Sequence, residues 1–404
     1  MNRSFAESAH FLRYVCSQTG DFLAYNMLTV AVGWQIYDLT GSAMTLGLVG
    51  LAQFLPQFVL TLPGGHVADS RDRRTICVIG LAVQAAVTAL LAYGSMGGWL
   101  TEELILACAM VLGASRAFVK PAMQSLLPTI VSPAILPRCL AVASGTREAG
   151  VIAGPALGGA LYLLGAGTVY LTCSASFAAA ATAMFLIPPA RRLSGRSPAS
   201  MRSVLEGITF IRSKPEVLGA ISLDLFSVLL GGATALLPIF ARDILDVSSV
   251  GLGLLRAAPA MGALGMSLFL ARRPLRDRVG RTLFISVGVF GLSTVVFGLS
   301  TNFLLSMVAL VALGASDMIS VVIRGTLVQL ETPDEKRGRV SAVNSIFIGT
   351  SNQLGEFESG LTASWFGAAP AVVIGGIGTL VVVGLWMRFF PALLHRDRLV
   401  PAGD

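Results

Sequence analysis

The feature that most constrains this chain is the return, again and again, of apolar runs about 20 residues long separated by short polar loops. A helix rises about 1.5 Å per residue, so roughly 20 residues match the ~30 Å hydrocarbon layer of a bilayer. Twelve such runs can be placed, at 12–36, 44–66, 75–96, 103–123, 138–163 and 168–188, then at 217–240, 250–271, 282–300, 303–325, 340–365 and 370–391. Only 13% of the 404 residues are charged and 54% are hydrophobic. A surface in water needs far more charge, whereas a surface in lipid does not. The expected fold class is an all-α membrane protein of about twelve transmembrane helices in two six-helix bundles.

The basic residues fall in alternate loops. Arg71, Arg73 and Arg74 follow the second run, Arg191 and Arg192 the sixth, Arg272 and Arg273 the eighth, and Lys336, Arg337 and Arg339 the tenth. The opposite loops hold only Arg242. Positive loops stay inside, so both termini are expected in the cytoplasm of a multi-pass protein of a bacterial inner membrane. The same alternation assigns the net charge of +7 to membrane orientation rather than to nucleic-acid binding. The polar first ten residues and the long first run predict no cleaved signal peptide.

The stretch 189–216 is rich in Pro, Ser and Arg and becomes amphipathic at 203–211. It is read as a cytoplasmic linker with an interfacial helix, between a bundle at 1–188 and another at 217–404. The halves echo each other faintly: Val111-Leu-Gly-Ala-Ser115 matches Ala312-Leu-Gly-Ala-Ser316, and both the second and eighth runs lead into Arg/Asp-rich loops. Internal duplication of this kind suits a transporter that rocks around a central site.

After the second run stands Gly65-His-Val-Ala-Asp69-Ser-Arg-Asp-Arg73-Arg74. This resembles the loop signature of the major facilitator superfamily, with Ser70 and Asp72 departing from its pattern. The resemblance implies a cytoplasmic gate built from Gly65, Asp69, Arg73 and Arg74. The fifth run carries Gly150, Gly154, Pro155, Gly158 and Gly159, which resembles the Gly-Pro motif of the superfamily's exporter branches. Glycines at four-residue spacing admit close helix approach, and a proline frees a backbone carbonyl. Gly20-Asp21, Pro121 to Pro128, Ala235 to Pro238, and Arg337 through Glu358 are together similar to the enterobactin-exporter-like, or transmembrane secretion effector, branch, which neighbours macrolide-efflux pumps. The resemblance covers nearly the whole chain and implies export of a small molecule such as a siderophore.

Ionisable residues within membrane runs are costly. Here they are Asp21, Arg116, Arg147, Glu148, Asp224, Arg256, Asp317, Glu356 and Glu358, while Lys120 and Arg324 stand close enough to helix ends to snorkel. Mutual pairing accounts for many of them. A carboxylate facing an alternating cavity could instead carry a proton, being protonated when desolvated and ionised beside an arginine. Asp21 is assigned that role, with Glu356 and Glu358 as alternatives. Arg116 or Arg256 would meet an anionic substrate, and Arg147 and Glu148 would pin the fifth helix.

The five cysteines and three histidines show no metal or redox spacing, and no nucleotide-binding glycine loop occurs, so neither an enzyme, a cofactor nor an ATP-driven pump is expected. The expected partners are a small-molecule substrate, protons and the lipid bilayer, and a monomer suffices. The function expected is a proton-coupled secondary exporter. A multidrug or macrolide efflux pump and an uptake symporter remain as alternatives.

Overall fold

A computed structural model describes residues 3–188, 201–275 and 277–398, all-helical among those residues. Its helices are α1 (Arg3–Thr40), α2 (Ala43–Ser70), α3 (Arg73–Gly97), α4 (Glu102–Ile130), α5 (Leu136–Tyr162), α6 (Ala166–Phe185), α7 (Met201–Ser213) and α8 (Pro215–Leu230). They continue with the single turn α9 (Leu237–Ile239), then α10 (Ser249–Arg272), α11 (Val279–Leu299), α12 (Phe303–Glu331), α13 (Asp334–Phe366), α14 (Ala368–Phe389) and α15 (Pro391–Leu394).

Each of the twelve apolar runs falls largely on helix, but the described residues contain nine helical spans long and apolar enough to cross a membrane. The other three runs lie on α1, α5 and α13. Their polarity has a local cause: α1 carries Asp21 and Asp38, α5 carries Arg138, Arg147 and Glu148, and α13 carries Glu356 and Glu358 after a charged first turn. Such helices can lie in a bilayer only with their polar faces turned to protein or water.

The seventh run is not one regular helix. α8 stops at Leu230, and after Gly231-Gly232 the chain passes through a tight turn, α9 and a widened turn at Phe240–Ile244. Gly232 sits where a side chain would meet the backbone of Gly355, so the break also brings two main chains together. Of the expected linker, 189–200 lie outside the described residues. The amphipathic segment is helical as α7, and α8 already begins at Pro215.

The contacts divide the chain into two compact units. Unit 1 comprises residues 1–41, 52–199 and 248–257, and unit 2 comprises 42–51, 200–247 and 258–404. A boundary at 189–216 alone would place 42–51 and 248–257 the other way. Those segments are held by glycine joints: Gly47 and Gly360 within unit 2, Gly253 and Gly159 within unit 1.

Each unit repeats one packing scheme. In unit 1, α1 packs on α5 and α6, and α3 on α4 and α6. In unit 2, α8 packs on α13 and α14, and α11 on α12 and α14. Tyr170 and Phe177 of α6 are fully enclosed in unit 1, and Phe284, Leu283 and Leu327 centre the core of unit 2. Outward faces are apolar as well: Ile79, Leu171, Ile285, Leu292, Leu304 and Val308 are all exposed. That much open hydrocarbon surface belongs in lipid.

The end of unit 2 is clasped by charge. Arg396 pairs with Glu216 of α8 and, at 2.6 Å, with Glu331 of α12. Backbone N–H groups of Val279 and Gly280 donate to the carbonyls of Asp397 and Arg396. Partial burial holds the Arg396 guanidinium below its ordinary pKa.

Candidate functional site

In unit 1 a polar stripe runs along α1 through Tyr14, Ser17, Asp21 and Tyr25, at the three- and four-residue spacing that shares one helix face. Asp21 is 4% exposed. Its Oδ1 lies 3.5 Å from the Arg116 guanidinium of α4 and accepts no hydrogen bond. Arg116 is held from another side by the ring of Tyr25, 3.6 Å from its centroid. A desolvated cation–π contact of this kind contributes about 2 kcal/mol. The Tyr25 hydroxyl donates to Gln53 Oε1 at 3.0 Å. Tyr25 and Gln53 are not among the residues expected from the sequence; Tyr25 is one turn beyond Asp21, which is the signal that points to it. The Arg116 expected to face an anion is thus engaged by Asp21 and an aromatic ring.

In unit 2 the corresponding elements hold Asp224 of α8 against Arg324 of α12, an ion pair with both side chains about 5% exposed. Arg324 therefore does not snorkel. Its guanidinium turns inward because Asp224 would otherwise be a buried charge without a counter-ion. Asp317 lies on the same helix as Arg324, about two turns earlier. Asp224 and Asp317 share the lining of one small cavity with Ser227, Ser316 and Ser320.

The remaining candidates are placed separately. Arg147 and Glu148 pair with each other at 2.7 Å and are about half exposed, so they satisfy one another on α5. Glu358 accepts from Thr362 at 2.8 Å. Glu356 projects along Gly50 of α2, where a side chain would come within 2.8 Å of its carboxylate. Arg256, partly buried, belongs to the segment of α10 that packs in unit 1.

The Gly-Pro motif is a two-sided joint. Gly150, Gly154 and Gly158 face α1, where added Cβ atoms would strike Phe22, Asn26 and Met27. Gly159 and Pro155 face the start of α10: Gly159 meets the Ser249 carbonyl, and Gly253 meets that of Pro155. Ser249 Oγ donates to the Gly159 carbonyl at 2.9 Å. α5 runs unbroken through Pro155.

Unit 2 contains the same joint in altered letters. Ser351, Gly355, Ser359 and Gly360 of α13 stand at the spacing of Gly150, Gly154, Gly158 and Gly159, with Glu356 in the place of Pro155. Gly355 meets the carbonyls of Val228 and Leu229 on α8, and Gly360 meets Ala43 and Gly47 of α2. The Gly-Ala-Ser repeats behave alike. Gly113 of α4 is pressed on the Gln53 carbonyl, and Gly314 of α12 on the Pro259 carbonyl.

At the loop after α2, Asp72 caps α3, its carboxylate accepting from Arg74 N–H at 3.3 Å and from Thr75 Oγ1 at 2.8 Å. That gives a structural reason for an Asp at this position. Arg73 donates to the Ser125 carbonyl at 3.2 Å, and Arg74 donates to the Phe185 carbonyl while lying over the Phe185 ring. The side chain of Asp69 is outside the described residues. Gly65 has open space around it; its neighbour Gly64 is the close-packed one, against the Ala117 carbonyl. Cys77, Cys108, Cys139 and Cys173 are buried, and Cys16 is exposed.

Known proteins resemble the chain along nearly its full length. It is 26% identical over 397 residues to the enterobactin exporter EntS of Citrobacter koseri, covering 94% of this chain and 91% of that protein. It is 24% identical over 373 residues to macrolide efflux protein A of Streptococcus pyogenes, covering 88% and 89%. Among solved structures, a point mutant of the nucleoside transporter NupG superposes with a TM-score of 0.76 at 14% identity, covering 94% of this chain and 100% of that one. A bacterial homologue of the lysosomal transporter Spinster superposes with a TM-score of 0.75 at 15% identity, covering 99% of each. These two show the fold alone. The transmembrane secretion effector profile matches residues 5–398, and the chain belongs to that family.

Proposed function

We propose that this protein is a proton-coupled secondary exporter of a small amphipathic organic molecule, a siderophore being the leading class, working by alternating access. The observation that carries the reading is the buried Asp21, held by Arg116 at ion-pair distance with an oxygen that accepts no hydrogen bond. A carboxylate so placed exchanges a proton when a conformational change moves its arginine away. Export is supported by the names of the two relatives above and by the Gly-Pro joint of α5. The halves 1–188 and 217–404 would be the rocking bodies, with Asp69, Arg73 and Arg74 at the cytoplasmic gate. Glu356 and Glu358 would be the alternatives to Asp21 as proton carrier, and Arg116 or Arg256 would meet an anionic substrate. The protein would act as a monomer in a bacterial inner membrane.

A second reading, macrolide or multidrug efflux, rests on the similarity to macrolide efflux protein A. The two differ in cargo, not in mechanism.

The test is proton flux in liposomes. Adding a catecholate siderophore to reconstituted protein drives proton movement, and Asp21→Asn abolishes that flux, because a carboxamide carries no exchangeable acid proton. Flux driven by a macrolide but not by the siderophore selects the second reading. Undiminished flux in folded Asp21→Asn removes Asp21 from the coupling.

Orientation has its own check. Fused at the C-terminus, a fluorescent reporter that folds only in the cytoplasm is expected to be bright, and alkaline phosphatase inactive. The reverse result overturns the inside placement of the termini.

A further inference from the structure

We propose that unit 2 contains a binding site for one dehydrated alkali cation of sodium size, formed by Asp224, Asp317, Ser227, Ser316 and Ser320. The five residues line a single cavity of about 10 Å³, walled on its apolar side by Val287 and Phe290. That volume accommodates the centre of about one water-sized body, so a bare ion fits and a hydrated one or an organic molecule does not.

Charge is the first argument. Asp224 and Asp317 bring two negative charges, and Arg324, paired to Asp224, brings one positive charge. The Asp317 carboxylate makes no hydrogen bond or ion pair with any described residue. With both carboxylates ionised, the cluster is one positive charge short of balance inside a membrane-spanning bundle, where uncompensated charge is costly, so it must take up either a proton or a cation. Unit 1 differs: Asp21 and Arg116 balance one for one.

The ligand atoms are the second argument. A proton would need one acceptor, and the cavity offers many more oxygens than that. The Ser227 hydroxyl is the independent pointer: Ser227 is 3% exposed, lines the cavity, and its Oγ makes no hydrogen bond. Ser316 Oγ donates its proton backward to the Leu313 carbonyl at 2.8 Å, which leaves its lone pairs to accept. Carboxylate and hydroxyl oxygens without nitrogen or sulfur are the donor set of a hard cation. The ligands come from two helices, with Asp224 and Ser227 three apart on α8 and Ser316, Asp317 and Ser320 within about one turn of α12. An ion would thus tie α8 to α12 beside the Asp224–Arg324 pair.

The experiment is thermal unfolding of the purified full-length protein in detergent, in sodium chloride against choline chloride at equal ionic strength. Sodium raises the unfolding midpoint saturably, by about 3 °C or more. Asp317→Asn abolishes the rise, Ser227→Ala weakens the apparent sodium affinity by about tenfold, and Asp277→Asn, at an exposed carboxylate of the same unit, keeps it in full. Equal midpoints in sodium and choline for the wild type overturn the site, as does a full sodium shift in Asp317→Asn. Should Asp317→Asn not fold, Ser227→Ala decides, and an unchanged sodium affinity there overturns the site. The measurement needs no transport, so loss of the export reading leaves this result standing, and the converse holds.

Discussion

Arg324→Met is expected to destabilise the folded protein by about 3–5 kcal/mol, because it strands Asp224 as a buried charge. The helices themselves are not weakened by the change, since Met is a good helix former of similar length. The cost comes from desolvated Asp224, which loses its ion-pair partner while Asp317 lines the same cavity. The pair predicts its own remedy. Combining Asp224→Leu with Arg324→Met removes both charges, and replacing a buried ion pair by apolar residues is commonly neutral or better. The double variant should recover most of the lost stability, with a coupling energy readable from the four-member cycle. Reversible unfolding in mixed micelles measures all four proteins. A double variant no more stable than Arg324→Met would show that the pair does not hold α8 to α12 by charge.

Gly314→Val is the second large effect. A Cβ at Gly314 would stand 1.8 Å from the Pro259 carbonyl oxygen, and one at Gly113 would stand 2.0 Å from that of Gln53. Both obstacles are backbone, so no side-chain rotation relieves them. The cost lies at or above the upper end of the ~1–3 kcal/mol typical of overpacking. Each unit should respond in the same way, since each glycine joins the same pair of elements: α4 to α2, and α12 to α10. Gly384 supplies the contrast, with nothing near its missing Cβ. Gly384→Ala gains helix propensity of up to about 1 kcal/mol and loses no contact. Yield of monodisperse protein and its melting temperature report all three. Equal behaviour of Gly314→Val and Gly384→Ala would refute the backbone-contact account.

Nine of the twelve runs were legible because a membrane helix writes its length into hydropathy, while those on α1, α5 and α13 are too polar to stand out that way among the described residues. The break at Gly231-Gly232 was not: the residues after it stay apolar, and hydropathy is blind to hydrogen-bond register. Asp21 and Arg116 could be named as intramembrane charges, but their meeting depends on how α1 packs on α4. Arg324 shows the limit most clearly. Its position near a helix end permits snorkelling, and only the location of Asp224 on a neighbouring helix decides that it turns inward. Ser227 and Ser320 escaped notice because serine is common in membrane helices, and nothing in one sequence marks which hydroxyls converge. The second joint was hidden for another reason. What it requires is small volume at Ser351, Gly355, Ser359 and Gly360, and serine satisfies that without spelling glycine.

The two joints also say something about how such a chain can change. Gly355, Gly159 and Gly360, and Gly113 and Gly314 touch main-chain atoms. Main chain carries no side-chain identity, so these positions ask nothing of their neighbours' chemistry. Beside them, Pro155 in one half stands where Glu356 stands in the other, and Arg116 follows the first Gly-Ala-Ser where Asp317 follows the second. The two units therefore differ in charge while sharing one packing scheme. A molecule built this way can change the charge of its interior by substitutions at a few positions, without renegotiating the joints on which its folding depends.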